Sequence, residues 1–256
     1  MTNYRLDLAY DGSDFRGWQA QPAQRTVQGT LQAALERLFR TPVAVEGAGR
    51  TDAGVHALAQ VASFRHDRER APEVVQRALG SLLPGDVLVH RVRHVPEDFS
   101  ARHSAVARRY RYRLRRGPHL FWRRYSFGVD ADLCVEAMAE AAKCLLGEHD
   151  FTAFARSDAG THCVCLVERA TVVSEGRWID FDITANRFVH NMVRRLAGVL
   201  LQVGAGRLAP DAVATILAAQ DRSRGGPCLP PQALFLVEVR YPGEVARAPA
   251  GLAPFD

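Results

Sequence analysis

The chain has 256 residues, 47% of them hydrophobic and 24% charged, the balance of a globular protein with chain enough for one large domain or two ordinary ones. No run is long and apolar enough to cross a bilayer, and the opening M-T-N-Y-R-L-D-L lacks the apolar stretch of a secretory signal, so a cytoplasmic protein is expected. The net charge of +5 is carried almost wholly by arginine, Lys143 being the only lysine, and five cysteines without a C-x-x-C pair suggest neither a disulfide framework nor a zinc knuckle.

Tyr4, Leu6, Leu8 and Tyr10 alternate with Arg5, Asp7 and Ala9, the pattern of a half-buried strand ending at Asp11-Gly12. Val27, Leu31, Leu35 and Leu38 recur at helical spacing, and Pro42 closes that helix. Short strands are expected at Val43 to Val45 and Leu58 to Phe64. Pro72 opens a second helix carrying Val74, Val75, Ala78, Leu79 and Leu82, and Pro84-Gly85-Asp86 ends it before a strand at Val87 to Val92. This order, β-α-β-β-α-β, is the split βαβ arrangement of a ferredoxin-like unit, with helices on one face of a mainly antiparallel sheet.

A second α+β half follows without obvious sequence identity to the first. Tyr110, Tyr112 and Leu114 alternate with arginines as a strand, Asp132 to Leu146 reads as a helix closed by Gly147, and Val164 to Val173 with Trp178 to Thr184 reads as a hairpin. Asn186 is placed to cap a helix running from Arg187 to about Val203, with Val189, Met192, Val193, Leu196 and Leu200 as its apolar stripe. A short helix near Asp211 to Gln220 and a strand at Leu234 to Tyr241 complete it. The expected division is an N-terminal subdomain over 1–105, a C-terminal subdomain over 106–245 and a loose tail over 246–256.

Between the two short strands of the first half lies G-A-G-R-T-D-A-G-V-H, from Gly47. It lacks the third glycine of a dinucleotide fingerprint and the G-K-[ST] of a P-loop, so phosphate cradling is not supported. Glycine content alone fits a tight loop. Arg50 and Asp52, however, stand two apart, and in an extended segment they would share a side, where a guanidinium holds a neighbouring carboxylate ionised. An exposed ion pair of this kind is usually of small worth; glycines crowding this one point to a group that must approach the backbone.

Arg102 to Arg124 holds nine arginines and no acidic residue. Arginines along one side of a strand fit a solvated face, yet an unbroken positive face invites a polyanion, and nucleic acid is the economical one. Tyr110 and Tyr112 on the other side fit a core, with stacking on an unpaired base as the functional alternative. Farther on, F-V-H-N-M-V-R-R would set His190 and Arg194 on one helix face. No H-E-x-x-H metal motif and no G-x-S-x-G hydrolase motif is present.

Taken together, G-A-G-R-T-D-A-G-V-H, Y-D-G-S-D-F-R-G-W-Q from Tyr10, L-P-G-D from Leu83, F-S-A-R from Phe99, A-R-R-Y-R-Y from Ala107, G-E-H-D-F-T from Gly147 and F-V-H-N-M-V-R from Phe188 resemble the TruA family of tRNA pseudouridine synthases along most of the chain. The resemblance implies an α+β pseudouridine synthase fold, with two ferredoxin-like subdomains sharing a central mainly antiparallel sheet. It also implies a homodimer and isomerisation of uridine to pseudouridine at positions 38 to 40 of the tRNA anticodon stem-loop, with neither a metal nor an organic cofactor. It carries the family's catalytic aspartate onto Asp52, its neighbouring arginine onto Arg50, its active-site tyrosine onto Tyr110 and a helix arginine near the site onto Arg194. The chain departs from the family pattern in A-R-S-D-A-G-T-H-C-V-C after Phe154, and near Pro227 to Leu234, where Ala233 stands in place of a common glycine.

Pseudouridine formation breaks the N1–C1′ bond, turns the uracil, joins C5 to C1′ and releases the C5 proton, so it needs an anionic group, a holder for the detached base and a proton acceptor. Whether Asp52 attacks the sugar, attacks C6 or removes a sugar proton stays open on these residues. The alternative from another class is a non-catalytic RNA-binding protein with two sheet platforms, which leaves Arg50 and Asp52 idle; a cysteine-dependent uridine methyltransferase lacks a methyl-donor loop.

Overall fold

A computed structural model of the chain describes residues 1–118, 120–129, 132–156 and 162–244; the tail expected to be loose, 246–256, lies outside them. The chain forms two compact units, one of Met1–Arg108 joined by the segment from Phe235, the other of Arg109–Leu234. Where the sequence suggested one boundary near Ala105, the chain leaves the first unit and later returns to it.

The first unit runs β1 (Thr2–Tyr10), α1 (Val27–Phe39), β2 (Val45–Gly47), β3 (His56–His66), α2 (Pro72–Leu82) and β4 (Val87–Val95), in the order read from the sequence. β1 lies between β3 and β4 and is antiparallel to both, and β2 pairs antiparallel with β3, the pairing of a split βαβ unit. α1 starts where the Thr26 side chain accepts the Gly29 amide at 3.3 Å, and stops where Arg40 turns left-handed with φ of 65°. Its buried stripe of Val27, Leu31, Ala34, Leu35 and Phe39 supplies Phe39 as an edge against Phe64, whose ring stacks on Tyr4 with centroids 4.7 Å apart. α2 begins at Pro72, whose missing N–H costs nothing at a first helical position, and buries only Val75 and Leu79.

β1 is not half-buried as its alternation suggests. Asn3 and Arg5, on the polar side, are only 3% and 5% exposed. The Arg5 guanidinium is buried because its charge is met: Nε donates to Asp7 at 2.8 Å, Nη1 to Glu244 at 2.8 Å, and the group lies 4.4 Å from the Tyr241 ring centroid.

The second unit runs β5 (Ala107–Arg116), β6 (Phe127–Val129), α3 (Val135–Lys143), β7 (Gly147–Asp150), β8 (Val164–Glu175), β9 (Trp178–Ala185), α4 (Met192–Gly204) and α5 (Ala212–Ala219). Its strands lie in the order β5-β9-β8-β7, with β6 parallel to β5. The expected β8–β9 hairpin is present and turns at Glu175 and Trp178. α3 fills the middle of the helix expected over Asp132 to Leu146. β10 (Leu234–Arg240) closes the described fold, parallel to β3 through Phe235 opposite His56 and Leu236 opposite Ala57.

One expectation is overturned. The helix predicted from Arg187 begins at Met192, and Asn186 does not cap it: the Asn186 side chain accepts the Leu166 amide at 2.9 Å instead. Asn191 takes the cap position in a left-handed conformation, φ 68°, one that asparagine tolerates better than most residues. Val189 fits the helical stripe because a turn, with the Met192 amide donating to Val189 at 3.1 Å, buries it without making it helical. His190 therefore shares no helix face with Arg194.

Candidate active site

The glycine-rich segment is a connection, as the sequence suggests, joining β2 to β3. What fixes it is Y-D-G-S-D-F-R-G-W-Q, which the sequence supplied only as part of a resemblance. Trp18 donates its amide to the Thr51 carbonyl at 3.0 Å and Gly54 donates to Phe15 at 3.3 Å. A side chain on Gly47 would displace the Trp18 ring, since its Cβ would stand 2.4 Å from that ring. Behind the loop, the Ala48 amide donates to Val61 at 2.8 Å, and Arg108 Nη2 donates to the Ala48 carbonyl at 2.7 Å.

Thr51 is 6% exposed. Its hydroxyl lies 2.8 Å from the Tyr10 hydroxyl, and Gln60 Nε2 donates to Tyr10 at 3.3 Å and to the Gly49 carbonyl at 2.9 Å. Burial pushes the Tyr10 phenol up to about 12, against the opposing effect of its hydrogen bonds with Thr51 and Gln60. Asp52 follows, half-buried, and its carbonyl accepts the Val55 amide at 3.2 Å to close a turn. The next residue, His56, is 2% exposed and accepts the Gly12 amide at 3.1 Å through Nδ1, 3.1 Å from an Asp11 carboxylate oxygen. The carboxylate of Asp52 thus stands on a loop whose backbone is tied on both sides.

Arg50, by contrast, is exposed. Residues 50–52 belong to no strand and run into the turn at Asp52, so the same-side rule that paired Arg50 with Asp52 in the sequence reading does not govern them.

In the second unit, Tyr110 is the fourth residue of β5, not a strand end, and is 8% exposed. Its ring meets Phe188 edge to face with centroids 5.0 Å apart. Tyr112 is fully buried and donates to the Pro230 carbonyl at 2.9 Å; burial raises its phenol far above the ordinary range. Arg194 lies in the first turn of α4, where Nε donates to the Leu229 carbonyl at 2.7 Å and Nη1 to the Asn191 side chain at 3.1 Å. The G-G-P-C-L segment at residues 225–229, which overlaps the departure near Pro227 to Leu234, is thereby part of its setting. Ala233 is buried in a 3-10 turn over Pro231–Ala233, while residues 157–161 of the other departure lie outside the described chain.

The arginine strand differs from its sequence reading. Arg109 Nε donates to Asp182 at 3.0 Å, Arg111 Nη2 to Asp182 at 3.0 Å, and Arg113 to Asp180 at 2.7 and 2.6 Å. Asp180 and Asp182 come from β9, the neighbouring strand, and their side chains are 15% and 6% exposed. Two carboxylates distant in sequence answer three guanidiniums, so this face is an ion-pair ladder and not an unbroken positive surface.

The family model for tRNA pseudouridine synthase matches residues 8–104 and 141–242, which include Arg50, Asp52 and Arg194. The tRNA pseudouridine synthase A of Myxococcus xanthus is 43% identical over 256 residues, covering 98% of this chain and 97% of the relative. That of Bacteroides thetaiotaomicron is 42% identical over 251 residues, covering 96% and 93%. That of Caldicellulosiruptor bescii is 38% identical over 244 residues, covering 94% and 100%. This chain belongs to the tRNA pseudouridine synthase family, and its activity is that of an isomerase.

Proposed function

We propose that the chain isomerises uridine to pseudouridine at positions 38 to 40 of the tRNA anticodon stem-loop, with the Asp52 carboxylate as the catalytic group and no metal or organic cofactor. The observation that carries this reading is the loop geometry: a half-buried aspartate whose neighbours are held by Trp18, Phe15 and Tyr10 within hydrogen-bond distance. A carboxylate so held meets a reacting carbon or proton without first having to be ordered. The rival from the sequence, a non-catalytic RNA-binding protein, does not fit membership of a family of synthases.

The reaction is redox-neutral. The N1–C1′ bond breaks and C1′ joins C5, the C5 proton leaves and N1, which carries no proton in uridine, gains one, so the product is an isomer. A uridine within a stacked stem is turned out of it, at a cost of a few kcal/mol. Tyr110 serves the extruded nucleotide, its ring plane set by Phe188, and Arg50 and Arg194 serve as substrate-binding cations. The enzyme acts as a homodimer in the cytoplasm.

The test is Asp52→Asn, which keeps shape and removes charge. Release of tritium from C5-labelled uridine in tRNA, without added cofactor, is expected to fall by about 10³-fold or more, while the tRNA Kd stays within about threefold. Turnover within about tenfold of the parent chain refutes the assignment, and modification at other tRNA positions refutes the site.

A further inference from the structure

We propose that Tyr10 and Thr51 are positioning residues for Asp52, forming a buried hydroxyl latch that fixes the direction in which the carboxylate leaves the loop. This rests on Asp52 being the catalytic carboxylate.

The latch follows from donor and acceptor bookkeeping. Gln60 Nε2 can only donate, and it donates both to the Tyr10 oxygen at 3.3 Å and to the Gly49 carbonyl at 2.9 Å. The Tyr10 oxygen is therefore an acceptor from Gln60, which leaves its own proton for Thr51 Oγ1, 2.8 Å away. Gln60 is itself held, since its Oε1 accepts the Val61 amide at 3.1 Å. All three side chains are buried, Tyr10 at 4%, Gln60 at 0% and Thr51 at 6% exposure, so water cannot replace a lost partner easily.

Thr51 is also gripped through its backbone, its carbonyl accepting the Trp18 amide at 3.0 Å. With its side chain tied to β1 and its carbonyl tied to Trp18, the peptide leading into Asp52 has no freedom to rotate. A loop rich in glycine would otherwise allow such rotation, and a displacement of about 1 Å at a reacting group costs on the order of 10²-fold in rate. Threonine rather than valine is needed here for the hydroxyl, and tyrosine rather than phenylalanine for the same reason.

The experiment compares Tyr10→Phe, Thr51→Val, Thr51→Ser and the double variant Tyr10→Phe/Thr51→Val in single-turnover assays on tRNA, beside Asp52→Asn. Expected are a fall in kcat of about 10- to 100-fold for Tyr10→Phe and Thr51→Val with KM and tRNA Kd within about twofold. Thr51→Ser should recover to within about threefold of the parent, and the double variant should be no slower than the slower single variant. Turnover within twofold for both single variants overturns the latch, as does a parallel loss of tRNA affinity or a Thr51→Ser no faster than Thr51→Val. Should Tyr10→Phe fail to fold, the contrast between the serine and valine variants carries the test. An inactive Asp52→Asn beside normal Tyr10→Phe and Thr51→Val sinks the latch alone; an active Asp52→Asn sinks the carboxylate assignment beneath it.

Discussion

Gly17 stands against Thr51 so closely that a Cβ built on it would lie 2.8 Å from the Thr51 carbonyl oxygen, and its φ of 89° is one that side-chain-bearing residues avoid. The two loops around Asp52 therefore fit only with glycine at this position. Gly17→Ala is expected to cost about 2 kcal/mol or more, from the strained backbone and the displaced Thr51 together. Because the displacement is passed to the next residue, turnover should fall as well. Urea unfolding and the tritium-release assay read the two effects; an unchanged midpoint with full activity contradicts this account.

The ladder between β5 and β9 leads to a different expectation. Asp182, with its side chain 6% exposed, accepts from both Arg109 and Arg111. Asp182→Asn removes the charge that answers two guanidiniums in a poorly solvated place, so a loss of about 3 kcal/mol is expected. Arg111 is engaged within the protein, its guanidinium set against Asp182 and Asp180. Arg111→Gln should therefore leave the salt dependence of tRNA binding within about half a unit of slope, whereas a phosphate-contacting arginine contributes about 0.9. A slope flattened by a full unit would return β5 to the role of an RNA-facing strand.

This ladder also marks where sequence reasoning stops. The alternation of Arg109, Arg111 and Arg113 with Tyr110 and Tyr112 gave the strand and its two faces, because side-chain direction in a strand depends only on the backbone. It did not give the partners, since Asp180 and Asp182 are about seventy residues away and only the pairing order of the sheet brings them alongside. The same distinction holds at the site. Asp52 and the loop that carries it were legible in one short stretch. Tyr10, Gly17 and Gln60, which hold that loop, read locally as a strand residue, a turn glycine and a polar strand residue. α4 shows a subtler limit: Val189 is buried at helical spacing although it sits in a turn, so burial periodicity overran the true start of the helix at Met192.

Stability at alkaline pH depends on the Tyr10 phenol. Burial raises the Tyr10 phenol to about 12, and its hydrogen bonds with Thr51 and Gln60 offset this only in part; an unfolded tyrosine titrates near 10. The folded value lies above the unfolded one, so the stabilisation is fully present below pH of about 10. It is lost as pH rises towards 12, because the unfolded chain gives up this proton first. A difference of roughly two units corresponds to about 2–3 kcal/mol. Tyr112 and Tyr241 are raised by burial in the same direction and are present in every variant compared. The measurement is the urea midpoint between pH 8 and 12 for the parent chain and for Tyr10→Phe. Between pH 10 and 12 the parent should lose stability more steeply than the variant, by about 1.4 kcal/mol per unit, and below pH 9 the two should run parallel. Parallel curves over the whole range would mean that Tyr10 ionises freely in the folded state, and the buried hydroxyl chain behind Asp52 could not then be intact.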